Sequence, residues 1–104
     1  MKIKTSELTG VALDWAVAKC EGKLPASYDD WKQTWPRYAT DWAQGGPLIE
    51  REYISLWTEG YNWEAKKFGE YEQYGDSVLE AAMRCYVASK LGDEVEVPDE
   101  LKGE

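Results

Sequence analysis

The sequence predicts an α+β fold: a small single-domain α-β-α layer structure with three helices and a central antiparallel hairpin or short sheet. Helix-patterned stretches lie near both ends of the chain, at Ser6 to Glu21 and Ser77 to Leu91, and two alternating stretches lie between them, at Tyr53 to Thr58 and Tyr61 to Phe68. A chain of 104 residues has material for one core and no second. Residues 1–98 are read as the domain and residues 99–104 as a solvated acidic tail.

Lys2 to Lys4 reads as a short opening strand. In the first helix Ser6 is the N-cap and Gly22 the stop; Leu8, Val11, Ala12 and Trp15 form one apolar line, Leu13, Val17 and Cys20 a second, and Gly10 with Asp14 the polar edge. Lys23 to Tyr38 carries two prolines and no sustained period, so it reads as a long loop with one helical turn at Tyr28 to Thr34. Thr40 or Asp41 caps a second helix running to about Glu52, with Asp41 and Gln44 at capping-box spacing. Gly45, Gly46 and Pro47 admit either a kinked continuous helix, which is preferred, or a turn followed by a new start.

Ile54, Leu56 and Thr58 then share one strand face, Glu59 and Gly60 make a turn, and Tyr61, Trp63 and Ala65 share a face of the returning strand. GEYEQYGD reads as a polar loop. The last helix opens on Ser77 and Glu80 as a capping box, is supported by Glu80 and Arg84 at i,i+4, and closes at Gly92. Val95 and Val97 alternate with acids as a short edge strand ending at Pro98.

Composition excludes more than it identifies. The chain has no His, which removes Ser/His/Asp, Cys/His and His-ligated zinc chemistry together. It has no GxxxxGK[ST] motif, and Gly45-Gly46-Pro47 cannot cradle phosphates because proline lacks an amide donor. Carboxylates remain available for a hydrolase, Asp41 and Glu64 among them, but acids this abundant carry little information. Cys20 and Cys85 stand far apart with no CxxC spacing, as reduced packed thiols do. No catalytic residue, metal ligand or cofactor is assigned.

The net charge of −8 opposes direct nucleic-acid binding and anionic lipid, and no segment approaches the ~20 apolar residues that span a bilayer. Six Trp and seven Tyr against one Phe is an unusual balance, and rings with polar handles suit wet boundaries. Trp31, Trp35, Tyr38 and Trp42 are interleaved with Lys32 and Arg37, so the rings could stack on a base while Arg37 takes a phosphate, or could form a satellite core. The candidate binding residues are Trp35, Arg37, Tyr38, Thr40, Asp41, Trp42, Gln44, Gly45 and Gly46, at a helix start with small residues that allow close approach.

Four blocks, MKIKTSELTG, LDWAVAKCEG, ATDWAQGGPLIERE and AAMRCYVASKLGDEVEVP, resemble the NinX-type family of small lambdoid-phage proteins over nearly the whole chain. The order of elements is also similar to that of the phage domain described as an α-β-α sandwich. The resemblance implies a phage setting and carries no catalytic residues with it. The expected function is a non-enzymatic phage accessory protein of the host cytoplasm, plausible in counter-defence. It would bind a host protein stoichiometrically or sequester a nucleotide-like signal, and homodimerisation through exposed hairpin edges is consistent with this. The alternative is an acidic mimic of nucleic acid that occupies a DNA-binding host protein, although its charge is concentrated in Asp93 to Glu104.

Overall fold

In the computed structural model, which describes residues 1–101, the helix Val78–Leu91 (called α4) is the element on which the rest is assembled. Ser77 Oγ accepts the Glu80 amide at 3.1 Å and Glu80 Oε1 accepts the Asp76 amide at 2.9 Å, so the predicted cap holds with its return bond one residue earlier. Gly92, at φ 89, ends the helix. Its buried residues, Leu79, Ala81, Ala82, Met83, Cys85, Tyr86, Val87 and Ala88, occupy most of the circumference, as they must in a helix packed on more than one side.

Four α-helices are present among the described residues rather than three: α1 (Gly10–Cys20), α2 (Tyr28–Thr34), α3 (Trp42–Arg51) and α4. The helical turn expected inside the long loop is α2, capped by Ser27, whose Oγ accepts the Asp30 amide at 3.2 Å. Helix α3 runs unbroken through Pro47, which lies exposed on its outer side.

Helix α1 begins later than the capping pattern suggests. Thr5–Glu7 is a single 3-10 turn, anchored where buried Thr5 donates its amide to Asp93 O at 2.7 Å and its hydroxyl to Gly92 O at 2.6 Å. The Leu8 carbonyl is taken by Arg84 Nε at 2.7 Å, and Gly10 at φ 54 turns the chain into the helix. A helix continuous from Ser6 would forfeit these bonds. Asp14, expected on the polar edge of α1, is buried.

The strands form two antiparallel sheets. β1 (Lys2–Lys4) pairs with β5 (Glu94–Glu96), Ile3 opposite Val95; β2 (Ile54–Thr58), β3 (Trp63–Lys67) and β4 (Glu70–Gly75) form a meander in the order β2-β3-β4. β4 lies where a polar loop was expected. Its inward positions are only Gln73 and Gly75, so no apolar alternation marks it. Gly75 is required there, because a Cβ would stand 2.5 Å from the Ala81 amide nitrogen of α4. Tyr61, expected on a strand face, is left in the β2–β3 turn.

The layering also differs from α-β-α. Helix α4 packs on β3 and β4 with one side and on α1 with another, which leaves the three-stranded sheet as an outer layer covered on one face. Its inner face carries Ile54, Leu56, Ala65 and Trp63, and its outer face Ser55, Trp57, Glu64, Lys66 and Tyr74. Burial of Leu8, Leu13, Val17 and Met83 between these layers stabilises the fold by roughly 1.5–3 kcal/mol per side chain.

The tail is docked at its start. Asp99–Leu101 forms a second 3-10 turn in which Asp99 and Glu100 are exposed, as expected of the tail, while Leu101 is buried; residues 102–104 lie outside the described residues. At the other end of the core an ionic chain ties three helices to the sheet. Arg51 places both Nη atoms on Glu21 (2.9 and 2.6 Å) and Nε on Glu52 (2.8 Å); Glu52 also accepts from Lys67 at 2.7 Å, and the Tyr86 hydroxyl donates to Glu21.

Candidate functional site

The aromatic residues singled out in the sequence divide between two places. Trp31 and Tyr38 are buried, and Trp35 is half-buried with its indole N–H on Asp14 Oδ2 at 2.7 Å. Asp14 Oδ1 accepts the Ala39 amide at 2.8 Å. These contacts dock the loop after α2 onto α1, as a satellite core. Arg37 lies with its guanidinium carbon 4.4 Å from the centre of the Trp35 ring and gives its amide to Gln44 Oε1 at 3.1 Å.

Trp42 faces the other way and is 57% exposed. It stands at the start of α3, where Asp41 caps the helix: Oδ1 accepts the Ala43 amide and Oδ2 the Gln44 side-chain amide, each at 2.9 Å. These bonds, the Gln44 one foremost, hold the Asp41 carboxyl below its usual range, so it is charged at neutral pH. Gly45 explains why α3 sits so close to its neighbours. A Cβ there would be 2.2 Å from the Tyr38 carbonyl oxygen and 2.9 Å from Leu79 Cδ2. Gly46 has looser surroundings, with the Trp42 ring 3.3 Å from a built Cβ.

The close approach at Gly45 brings the start of α3 beside the start of α4, and the space between them is an open cleft of about 400 Å³. Ala39, Thr40 and Trp42 line one side, Asp76, Ser77, Val78 and Leu79 the other, and Trp63 of β3 completes the wall. Of the nine residues proposed from sequence, Thr40 and Trp42 line the cleft directly. Asp41, Gln44, Gly45 and Gly46 shape the helix start behind it, while Trp35, Arg37 and Tyr38 belong to the loop packed on α1.

Trp63, Asp76 and the first turn of α4 were not foreseen. The cap at Ser77 was legible, but nothing local indicates that it faces Thr40 across 36 intervening residues. First-turn amides such as those of Val78 and Leu79 have no acceptor within their own helix and by themselves favour an anion. Asp41 and Asp76 oppose that preference at the same two helix starts. An acid-rimmed cleft walled by two indoles suits a cationic or neutral planar group, such as a guanidinium.

A second, smaller cleft of about 280 Å³ lies along α2 between Tyr28, Trp31, Lys32, Trp35 and Val11. Trp31 Nε1 is buried there without an acceptor among the described residues. Of the carboxylates considered for hydrolysis, Asp41 is committed to its cap and Glu64 stands on the outer sheet face, paired across strands with Trp57 and Tyr74. Burial pushes the Cys20 and Cys85 thiols up to about 11. No helix among the described residues is long and apolar enough to cross a membrane.

A meander sheet backed by helices on one face, with an open aromatic cleft where two helices begin, defines a small α+β protein. The chain belongs to the bacteriophage P22 NinX family, whose model matches residues 4–90. The resemblance read from its four sequence blocks is thereby confirmed. No curated protein matches the chain.

Proposed function

We propose that this phage protein is a non-enzymatic accessory factor that binds a host protein stoichiometrically through the Trp42–Trp63 cleft, in the setting of counter-defence. The observation that carries this reading is Trp42 itself. A large indole left 57% exposed beside a concave wall is the form an interface anchor takes. Asp76 in the lining, in a chain of net charge −8, selects a basic segment, with an Arg or Lys entering between the indoles. The absence of His and the raised thiols support binding over catalysis.

The same carboxylate favours a protein over the nucleotide-like signal that the sequence also allowed, since a phosphate would meet it in the cleft. The test compares wild type, Trp42→Ala and Asp76→Lys, each carrying a carboxy-terminal handle, in capture from host lysate and in calorimetry against a nucleotide panel. A partner retained at one-to-one stoichiometry by wild type and lost from both variants is expected. Nucleotide binding abolished by Trp42→Ala would move the reading to signal sequestration. Capture that ignores both substitutions would remove the cleft from the function.

A further inference from the structure

Three residues other than glycine hold left-handed backbone: Tyr53 at φ 54, Phe68 at φ 54 and Tyr71 at φ 56. Each occupies a place where glycine is the usual solution, and the three places belong to different backbone motifs. Tyr53 is the residue that leaves α3 after its C-cap Glu52. Phe68, with Gly69 at φ 77, makes the two-residue turn between β3 and β4. Tyr71 lies at the register shift where β4 bulges between the partners of Ala65 and Lys67.

All three rings are also exposed, at 73%, 72% and 44%. Two separate costs therefore fall on each position, left-handed strain for an L side chain and apolar surface in water. Tyr53 and Phe68 are neighbours with ring centres 6.3 Å apart, and Tyr71 follows on the same end of the sheet. Within the chain the rings gain this tilted pair and Lys67 Nζ 5.7 Å from the Phe68 centre, yet all three remain exposed. Backbone outliers that persist in a cluster point to a function for that cluster.

We propose that Tyr53, Phe68 and Tyr71 form a self-association face that joins two copies of the chain about a two-fold axis. The charge around the rings identifies the occupant. Arg51 is neutralised on Glu21 and Glu52, Lys67 on Glu52, and Lys66 on Glu72 at 3.0 Å, leaving Glu50 and Glu70 without ion-pair partners among the described residues. These five acids and three bases sum to −2, whereas the chain carries −8. A near-neutral aromatic face is where two acidic molecules meet with least repulsion, and it offers little to attract a strongly basic partner.

The bulge at Tyr71 interrupts regular pairing along β4, so the copies associate through side chains and not by extending the sheet. At ~200 Å² per fully exposed aromatic, the three rings present roughly 400 Å² per copy. That is roughly 800 Å² for the pair, below the about 1,200 Å² at which stable specific interfaces begin, so the association is weak and reversible. The face lies at the end of α3 and of β3 opposite to the Trp42–Trp63 cleft. Its failure would leave the binding reading of the cleft untouched.

Sedimentation velocity of the full chain between about 5 and about 500 μM tests the proposal. Wild type should pass from monomer to dimer across that range, and Phe68→Asn combined with Tyr53→Gly should remain monomeric throughout. At the lowest concentration the double variant should melt at or above the wild-type temperature, because the substitutions relieve strain; a merely structural role for the rings predicts a lower midpoint. Tyr61→Asn removes a ring that is 98% exposed at the other end of the sheet and should leave the dimer intact. Raising salt from about 50 to about 500 mM should preserve or tighten association. A wild type monomeric at the highest concentration, or a double variant that dimerises as wild type does, overturns the proposal; the first outcome would assign the face to a different protein.

Discussion

Trp35 donates its indole N–H to one oxygen of the Asp14 carboxylate while the Ala39 amide donates to the other, at 2.7 and 2.8 Å. Helix α1 thus grips the segment leading into the candidate cleft at two points four residues apart. Asp14→Ala leaves two donors without an acceptor and should lower stability by about 2–4 kcal/mol, read as a reduced urea midpoint at unchanged m. Asp14→Asn retains one acceptor and should lose roughly half as much.

The same carboxylate carries a pH signature. Burial raises its pKa above the ordinary 3.8, against the opposing pull of the two hydrogen bonds. Because the folded value is the higher, the stability linked to this group is fully present below 3.8 and is lost as pH rises through the raised value. Asp14→Asn removes that loss. Its urea midpoint should therefore climb more steeply than wild type between about pH 3 and pH 7.

Adjacent glycines should respond in opposite ways. Gly45→Ala drives a Cβ into the Tyr38 carbonyl and should cost about 2–3 kcal/mol or more despite the better helix former. Gly46→Ala meets only the edge of the exposed Trp42 ring and gains up to ~1 kcal/mol of helix propensity, so its urea midpoint should stay near or above wild type.

Acid should loosen the Arg51 junction. Arg51, foremost, holds Glu21 below its ordinary 4.5, and Lys67, foremost, does so for Glu52. Their contribution is present above 4.5 and is lost as pH falls through the lowered values. Glu21→Gln should reduce stability by about 1.5–3 kcal/mol at neutral pH and by less near pH 3, measured as the difference in melting temperature from wild type at each pH.

Leu101 provides a test of the docked tail. Leu101→Ala should destabilise by about 2–3 kcal/mol in urea unfolding, while Glu100→Ala, one residue away and exposed, should stay within about 0.5 kcal/mol of wild type.

What could be read from the sequence was what is local. Ser77, Glu80 and Gly92 bracket α4 by short-range hydrogen bonding and φ preference, and the alternation of Ile54 with Leu56 marks β2 because one face is wet. β4 escaped because its inward positions are Gln73 and Gly75, where α4 backbone takes the space that side chains usually fill. Asp14 looked like a surface acid because its partners, Trp35 and Ala39, are distant in sequence. Trp42 was legible as a site candidate from its helix start, whereas Trp63 and Asp76 are joined to it only by the packing of α3 on Leu79.

The amino group of Met1 lies 2.7 Å from Glu96, 3.0 Å from Asp99 and 2.9 Å from the Val97 carbonyl, so the first residue clasps the chain just beyond β5. Any extension at that end converts a cation into a neutral amide and severs both ion pairs, which is why an affinity handle belongs at the carboxy terminus. The same proximity makes circular permutation practicable: a linker can bridge Met1 and the segment at Asp99, and the solvent-facing turn at Glu59–Gly60 can be opened instead.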